Sequence, residues 1–416
     1  MKAVYTLVII IYTGLIHIVS LFNQKALLWV KGRRKWSVLL KEKINRNDNI
    51  IWIHCASLGE FEQGRPVIEM IKEKAPETKI LLTFFSPSGF EIMKSWPLAD
   101  YISYLPADTP ANSERFIDIA KPSIAIFIKY EFWNNYLSAL YKRDIPLYLV
   151  SGIFRPDQHF FKWYGRFFRT ILRKFTHIFV QDSMSVDLLR GIGITNVSST
   201  GDTRFDRVSQ IAKAAKKIPQ MEQFRGNEKL FIAGSSWKQD EEIIAQYINR
   251  FPGRMKWVIA PHEIDIHNIE RLEKLFNVKH VRFSQFNKTT ADARVLIIDN
   301  IGMLSSAYRY AYIAEVGGGF GDGIHNILEP ACWGIPVMFG PKHKKFREAI
   351  DLINENGAMT FDSFGNFSDI LDKWLTDEIF YLKSAKSASD YINKNTGATS
   401  KILQKILPKD INEFHS

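Results

Sequence analysis

The chain has 416 residues, 46% of them hydrophobic and 24% charged, with a net charge of +11. That length exceeds one ordinary core and fits two domains of about 150 to 200 residues, and the composition excludes a disordered or low-complexity chain. The two cysteines, Cys55 and Cys332, lie far apart in apolar surroundings, which excludes a disulfide framework or Cys-rich metal site and fits a reducing compartment.

The first element is apolar. Residues 3–24 carry no formal charge, and residues 25–46 then hold eight Lys or Arg and one acid. At about 1.5 Å per residue the apolar run is long enough for a bilayer core. A cleaved signal peptide is disfavoured by the length of the run and by the lack of a small-x-small site after it. A transmembrane span and an in-plane interfacial helix both remain open, and in either case the basic cluster expects the rest of the chain on the cytoplasmic side. A second basic segment, "DQHFFKWYGRFFRTILRKF", repeats aromatic and aliphatic residues at helical spacing over 160–175. It reads either as an interfacial helix or as a core helix with a solvated basic side.

From residue 50, strands are predicted at 50–55, 79–84, 124–128, 146–150, 177–181 and 197–201, with helices such as 61–74, 111–120 and 132–142 between them. Residues 203–228 are polar and read as the join between domains. A second series follows at 230–234, 256–260, 294–298, 311–316 and 336–340. Alternation of this kind predicts two doubly wound α/β domains, each with a parallel sheet covered on both faces, and a ligand cleft between them at the strand ends. The expected organisation is a membrane anchor and basic segment at 1–46, an acceptor-binding domain at 47–205, a linker at 206–228 and a nucleotide-binding domain at 229–416, with the last helices free to pack back on the first domain.

The strand ends carry the chemistry. "VGGGFGDGIHNILEP" at 316–330 opens a helix after a glycine run, with no Walker lysine and no G-x-G-x-x-G. Glycine there permits close backbone approach, and Asn326 at or near the helix start with Glu329 three residues on fits either a nucleotide grip or a plain capping box. "GSSWKQDEE" adds Ser235 and Ser236, and the loop adds Gly318 and Gly319, as phosphate or loop contacts. In the first domain "HCASLGEFEQGRP" puts Glu60 just past the first strand. A glutamate is ionised at neutral pH and can accept a proton, though a first-turn acid also simply complements a helix dipole. Glu131 follows the strand at 124–128. Arg204 follows 197–201, where it fits a phosphate or a neighbouring Asp202 or Asp206. Histidines 54, 262, 267 and 325 are scattered without metal-ligand spacing, so no metal site is expected.

Six stretches, "HCASLGEFEQGRP", "KYEFWNN", "GDTRFD", "AGSSWKQDEE", "IDNIGMLSSAYRYAYIAEVGGGF" and "GIHNILEPACWGIPVMFGP", stand in the order seen in 3-deoxy-D-manno-octulosonic acid (Kdo) transferases, which the chain resembles over nearly its whole length. The resemblance implies a GT-B glycosyltransferase fold. It implies inverting transfer of Kdo from CMP-Kdo to a lipid A precursor, with Glu60 as general base and Glu131 and Arg204 supporting the transition state. CMP contacts are implied at Pro261, His262, Ile301, Gly302, Met303, Asn326, Ile327, Leu328 and Glu329. No cofactor or metal is implied. The implied partners are CMP-Kdo, the lipid A precursor and anionic lipids of the bacterial inner membrane, at its cytoplasmic face. Nucleic acid is not expected, since no RNP or zinc-knuckle pattern occurs. The chain departs from the family at Lys129, which replaces an acid, at Arg204, which replaces a lysine, and at "PHE" (261–263) in place of Pro-Arg-His. A UDP-sugar transferase or 2-epimerase of the same fold is the alternative.

Overall fold

The computed structural model describes residues 1–407. The chain divides into two compact units, Met1–Arg207 joined by the chain from Thr396 onward, and Val208–Asn395.

The first unit contains a seven-stranded parallel sheet built from β1 (Ile50–Cys55), β2 (Lys79–Phe84), β3 (Tyr101–Tyr104), β4 (Ile124–Ile128), β5 (Leu147–Gly152), β6 (His177–Val180) and β7 (Val197–Ser199). Their order is β3-β2-β1-β4-β5-β6-β7. The central strands are predominantly apolar because helices cover both faces, and the buried polar residues His54 and Thr83 lie near the ends of β1 and β2. Every residue of β1 is buried, and Ile53 sits beside Leu82 on one flank and Ile126 on the other. Chain order reverses between β1 and β4, the position where doubly wound sheets present their ligand sites.

The second unit repeats this plan with β8 (Leu230–Ser236), β9 (Lys256–Pro261), β10 (His280–Arg282), β11 (Val295–Ile297), β12 (Ile313–Val316), β13 (Val337–Phe339) and β14 (Ala358–Thr360). Their order is β10-β11-β9-β8-β12-β13-β14, again all parallel, with the reversal between β8 and β12. The sequence pattern does not announce β3, β10 or β14. Each is a short edge strand, half-buried or mixed in character.

Before the first sheet come α1 (Lys2–Val19), α2 (Gln24–Gly32) and α3 (Trp36–Lys43), and α4 (Leu58–Lys74) follows β1. α1 has a mean hydropathy of 1.8 and is long and apolar enough to cross a membrane. The 160–175 stretch is not one helix. A 3-10 turn over His159–Phe161 is separated from a helix over Arg166–Leu172 by a tight turn at Gly165, where a Cβ would lie 2.3 Å from the His159 carbonyl oxygen. Phe160, Ile171, Leu172 and Phe175 are buried in the first unit's core, whereas Trp163 is 91% exposed.

The last helix among the described residues, Ala398–Ile406, belongs to the first unit. Ile402, Leu403 and Ile406 pack in the cluster that holds Ile51, Ile53 and Leu82. Asp206 fixes its start by accepting from the N–H groups of Gly397 and Thr399 and from the Thr399 hydroxyl.

Candidate functional site

The strands on either side of the first unit's reversal point deliver two carboxylates. The chain leaves β1 through Ala56 and Ser57 and enters α4, whose first turn holds half-buried Glu60. Ser57, the residue before the helix, donates its hydroxyl to Glu60 Oε2. Glu60 is thus both a first-turn acid at a helix N-terminus and a carboxylate at the end of β1.

Glu131 lies just past β4. Its Oε2 accepts the Trp133 indole N–H at 2.6 Å and meets Nε2 of the fully buried His54 at 3.0 Å. On the other side of that imidazole, Nδ1 is 2.9 Å from the Thr83 hydroxyl, which itself accepts the Trp52 indole N–H at 2.8 Å. With its proton on Nε2, His54 donates to Glu131 and its Nδ1 accepts from the Thr83 hydroxyl; the Thr83 carbonyl oxygen also stands 3.2 Å from Nδ1. Glu131 is therefore oriented by two N–H donors. Cys55, buried at the end of β1, registers the convergence. Burial, and then the charges of Glu60 and Glu131, hold its thiol pKa well above the ordinary value.

Arg204 follows β7 and bonds Asp202. Its Nε is 2.8 Å and its Nη2 2.7 Å from Asp202 Oδ2, and its backbone N–H also reaches that carboxylate. Beside it, Thr203 donates its hydroxyl to the Gln63 carbonyl of α4 at 2.6 Å.

In the second unit the named positions gather after β8, β9, β11 and β12. Ser235 adopts a left-handed backbone (φ 52°) and Ser236 donates to Glu241 at 3.0 Å. Pro261 ends β9 beside Ser236, and the His262 N–H bonds the Ser236 carbonyl at 2.9 Å. The glycine loop follows β12. A Cβ on Gly317 would stand 2.4 Å from the Ser235 carbonyl oxygen, and one on Gly319 would stand 2.6 Å from the Gly340 backbone. These glycines admit the protein's own neighbouring strands. Gly318 is left-handed (φ 92°), and its N–H bonds Asp240 Oδ2, which also accepts from the Trp237 N–H.

Asn326 and Glu329 bond each other (Nδ2 to Oε1, 3.1 Å), and Asn326 Oδ1 accepts the Leu328 N–H. Ile327 is the residue before the four-residue helix Leu328–Ala331. Glu329 Oε2 takes the Ser305 hydroxyl at 2.6 Å. That bond joins the loop to the short helix after Ile301, Gly302 and Met303, in a turn where Ile301 is 88% exposed and Gly302 is left-handed. The capping-type bond is present, and one Glu329 oxygen reaches beyond it to a second segment.

Two side chains here, Trp237 and His325, had no role in the sequence expectations, and His262 was expected only as a CMP contact. Trp237, His262 and His325 form a nearly parallel stack, with Trp237 to His262 at 4.7 Å and His262 to His325 at 4.5 Å between ring centres. The Trp237 indole N–H donates to His325 Nε2 at 3.0 Å, which leaves the His325 proton on Nδ1. Burial, and then His262, lower the His325 pKa. All three residues lie inside quoted motifs, but Trp237 and His325 are 88 positions apart, so spacing gave no signal. Beneath the loop, burial raises the pKa of Glu315 well above the usual range, with further contributions from Asp240 and Glu241. Among the described residues, no three His, Cys, Asp or Glu side chains are gathered so as to hold a metal ion.

Known proteins resemble this chain in sequence and in fold. Residues 32–207 fit the family described as 3-Deoxy-D-manno-octulosonic-acid transferase (kdotransferase). The chain is 30% identical to the 3-deoxy-D-manno-octulosonic acid transferase of Aquifex aeolicus (strain VF5), covering 76% of this chain and 83% of that protein. It is 24% identical to the Haemophilus influenzae enzyme of the same name, covering 86% of each. In structure it is similar to the UDP-GlcNAc 2-epimerase from Neisseria meningitidis bound to UDP-GlcNAc, with a TM-score of 0.61 at 16% identity over 86% of this chain and 99% of that one. Acinetobacter baumannii MurG gives a TM-score of 0.51 at 12% identity over 86% and 99%. These likenesses establish the GT-B fold as two Rossmann-like units. With 30% identity across most of an Aquifex relative and the family match over the first unit, the chain belongs to the 3-deoxy-D-manno-octulosonic acid transferases, a family of glycosyltransferases.

Proposed function

We propose that this protein transfers Kdo from CMP-Kdo to a lipid A precursor, with inversion, at the cytoplasmic face of the bacterial inner membrane. Glu60 takes the proton from the acceptor hydroxyl while that oxygen attacks the anomeric carbon. The bond from that carbon to the CMP phosphate oxygen breaks, and CMP leaves with the electron pair. Positive charge grows on the sugar and negative charge on the phosphate. Glu131, oriented by His54 and Trp133, supports the first, and Arg204 supports the second. CMP is held through Pro261, His262, the Ile301–Met303 turn and the Asn326–Glu329 segment, with Ser235, Ser236, Gly318 and Gly319 beside its phosphate. None of these steps assigns a role to a metal.

The observation that carries this reading is the pair of carboxylates after β1 and β4, at the first unit's reversal point, in a chain of this family. The test separates binding from chemistry. CMP raises the melting temperature of the wild type and of Glu60→Gln by the same amount, and only the wild type transfers sugar. Stabilisation by UDP and not by CMP would overturn the donor assignment.

A further inference from the structure

The apolar N-terminal helix touches the rest of the first unit along one narrow stripe, in which Ile9 is the buried residue. Tyr5, Ile9, Thr13 and Ile16 recur at helical spacing and are its buried or half-buried stripe, while Leu7, Ile11, Leu15 and Ile18 are more than half exposed. At its start the Tyr5 hydroxyl donates to Asp108 at 2.6 Å, and Asp108 also accepts the N–H groups of Asn135 and Tyr136. The Tyr5 ring lies 6.1 Å from Phe167. Further along, Tyr12 stacks with Phe85 at 6.4 Å, and Phe85 stacks in turn with Trp133 at 4.7 Å. α2 secures the same cluster from its other side. Trp29 meets Phe85 edge-on, and Arg33 bonds the carbonyls of Leu105 and Phe85.

Eighteen residues make a helix of about 27 Å, close to the thickness of a bilayer core. A helix held at both its first and third turns could cross that core only by drawing the surface under it into hydrocarbon. That surface carries Arg33, Arg34 and Asn112, which line a pocket with Thr13 and His17 of α1 and are charged or polar groups costly to remove from water. The exposed side of α1 is apolar, and it continues into Leu21 and Phe22, which are 75% and 87% exposed. Lys25, Lys31, Arg34 and Lys35 follow, all exposed. An apolar face bordered by cations matches the interface of an anionic bilayer.

We propose that α1 lies in the plane of the membrane surface, pinned to the first unit, and does not span the bilayer. Its docked face is then part of the acceptor half of the site, because Tyr12 reaches Glu131 through two ring contacts, Phe85 and Trp133, and the Trp133 N–H. This second consequence rests on the role proposed above for Glu131, and the topology does not.

The experiment uses the full chain in native inner membranes. Ala3→Cys is exposed to a membrane-impermeant maleimide in intact spheroplasts, with labelling at residue 3 read by mass spectrometry. In-plane α1 gives labelling only after the membrane is broken. Labelling from outside intact spheroplasts would overturn the proposal. In a second arm, purified protein floats with vesicles containing phosphatidylglycerol and less with pure phosphatidylcholine. Protein that ignores both and runs as a dimer would assign the face to a second copy and overturn the bilayer assignment. In a third, Tyr12→Ala raises KM for a lipid acceptor roughly two- to tenfold, with CMP stabilisation unchanged, and Tyr12→Phe restores it. Equal KM values in all three proteins would overturn the coupling while leaving the topology result standing. An inactive wild type would instead point to the proposed reaction.

Discussion

His54 and Glu131 meet at 3.0 Å, joining the interior of β1 to the loop after β4 where the strand order reverses. The imidazole is fully buried, with Nε2 at the carboxylate and Nδ1 beside the Thr83 hydroxyl and carbonyl oxygens. His54→Leu removes the donor and leaves Glu131 with Trp133 alone. A hydrogen bond to a charged group contributes about 1.5–3 kcal/mol, so a loss of roughly ten- to a hundredfold in kcat is expected, with CMP binding unchanged. Thr83→Val removes the hydroxyl beside His54 Nδ1, which is also the acceptor of the Trp52 indole N–H, but leaves the His54 to Glu131 bond in place, and its effect on kcat is smaller. Steady-state kinetics on the two variants test the order, and an unaltered kcat in His54→Leu would remove the orienting role.

The glycine loop separates steric need from mere flexibility. Gly317→Ala places a methyl 2.4 Å from the Ser235 carbonyl oxygen and 2.9 Å from Asp240 Oδ2, whereas at Gly321 the nearest atom is 3.6 Å away. Gly317→Ala should destabilise the second unit by about 1–3 kcal/mol and weaken CMP binding, while Gly321→Ala is close to neutral. Chemical denaturation with a CMP titration compares them, and equal behaviour would contradict this reading of the loop.

Glu315 is buried on β12 with neither oxygen hydrogen-bonded, and burial holds its pKa far above the ordinary range. An acid whose folded pKa is raised binds its proton more tightly when folded, so its contribution falls as pH rises above the unfolded value. Glu315→Gln lacks this titration. The variant should gain stability relative to wild type as pH is raised from 5 to 8, and melting curves across that range reveal whether the gap widens.

His177 behaves in the opposite sense. Burial and then Lys405 lower its pKa to about 4, from 6.5, while Nε2 stays 2.8 Å from the Ser198 hydroxyl. The unfolded chain binds the proton more readily, so stability is full above 6.5 and declines as pH falls through 6.5 toward 4. His177→Gln should flatten that decline. Identical acid profiles for the variant and wild type would show that His177 does not set it.

The Trp237, His262 and His325 stack gives a donor-side prediction. Trp237→Phe keeps a ring against His262 but removes the N–H that fixes His325. CMP affinity should drop by roughly two- to tenfold, and more in Trp237→Ala, from the value of one neutral hydrogen bond and one ring contact. Calorimetric titration with CMP measures both.

Legibility followed burial. Central strands such as "IIWIHC" and "IAIFI" are apolar on both faces, so they stand out as runs. β3 ("YISY"), β10 ("HVR") and β14 ("AMT") lie at or near sheet edges and carry no such run. Glu60, Glu131 and Arg204 were legible as residues just past strands, because the parallel fold puts loops there. Their neighbours were not. His54 was one scattered histidine until folding brought it to Glu131, 77 positions away, and His325 likewise needed Trp237. Periodicity over 160–175 merged a turn and a helix because the constraint at Gly165 comes from carbonyls of the preceding turn and not from any local pattern.

Purified full-length protein is incubated with CMP-Kdo and a lipid A precursor, and the lipid product is weighed by mass spectrometry, with UDP-GlcNAc as the competing donor. A product heavier by one or more Kdo residues is expected, with release of CMP, and is absent in Glu60→Gln. Unchanged lipid with CMP-Kdo, or sugar transfer or epimerisation with UDP-GlcNAc, would contradict it.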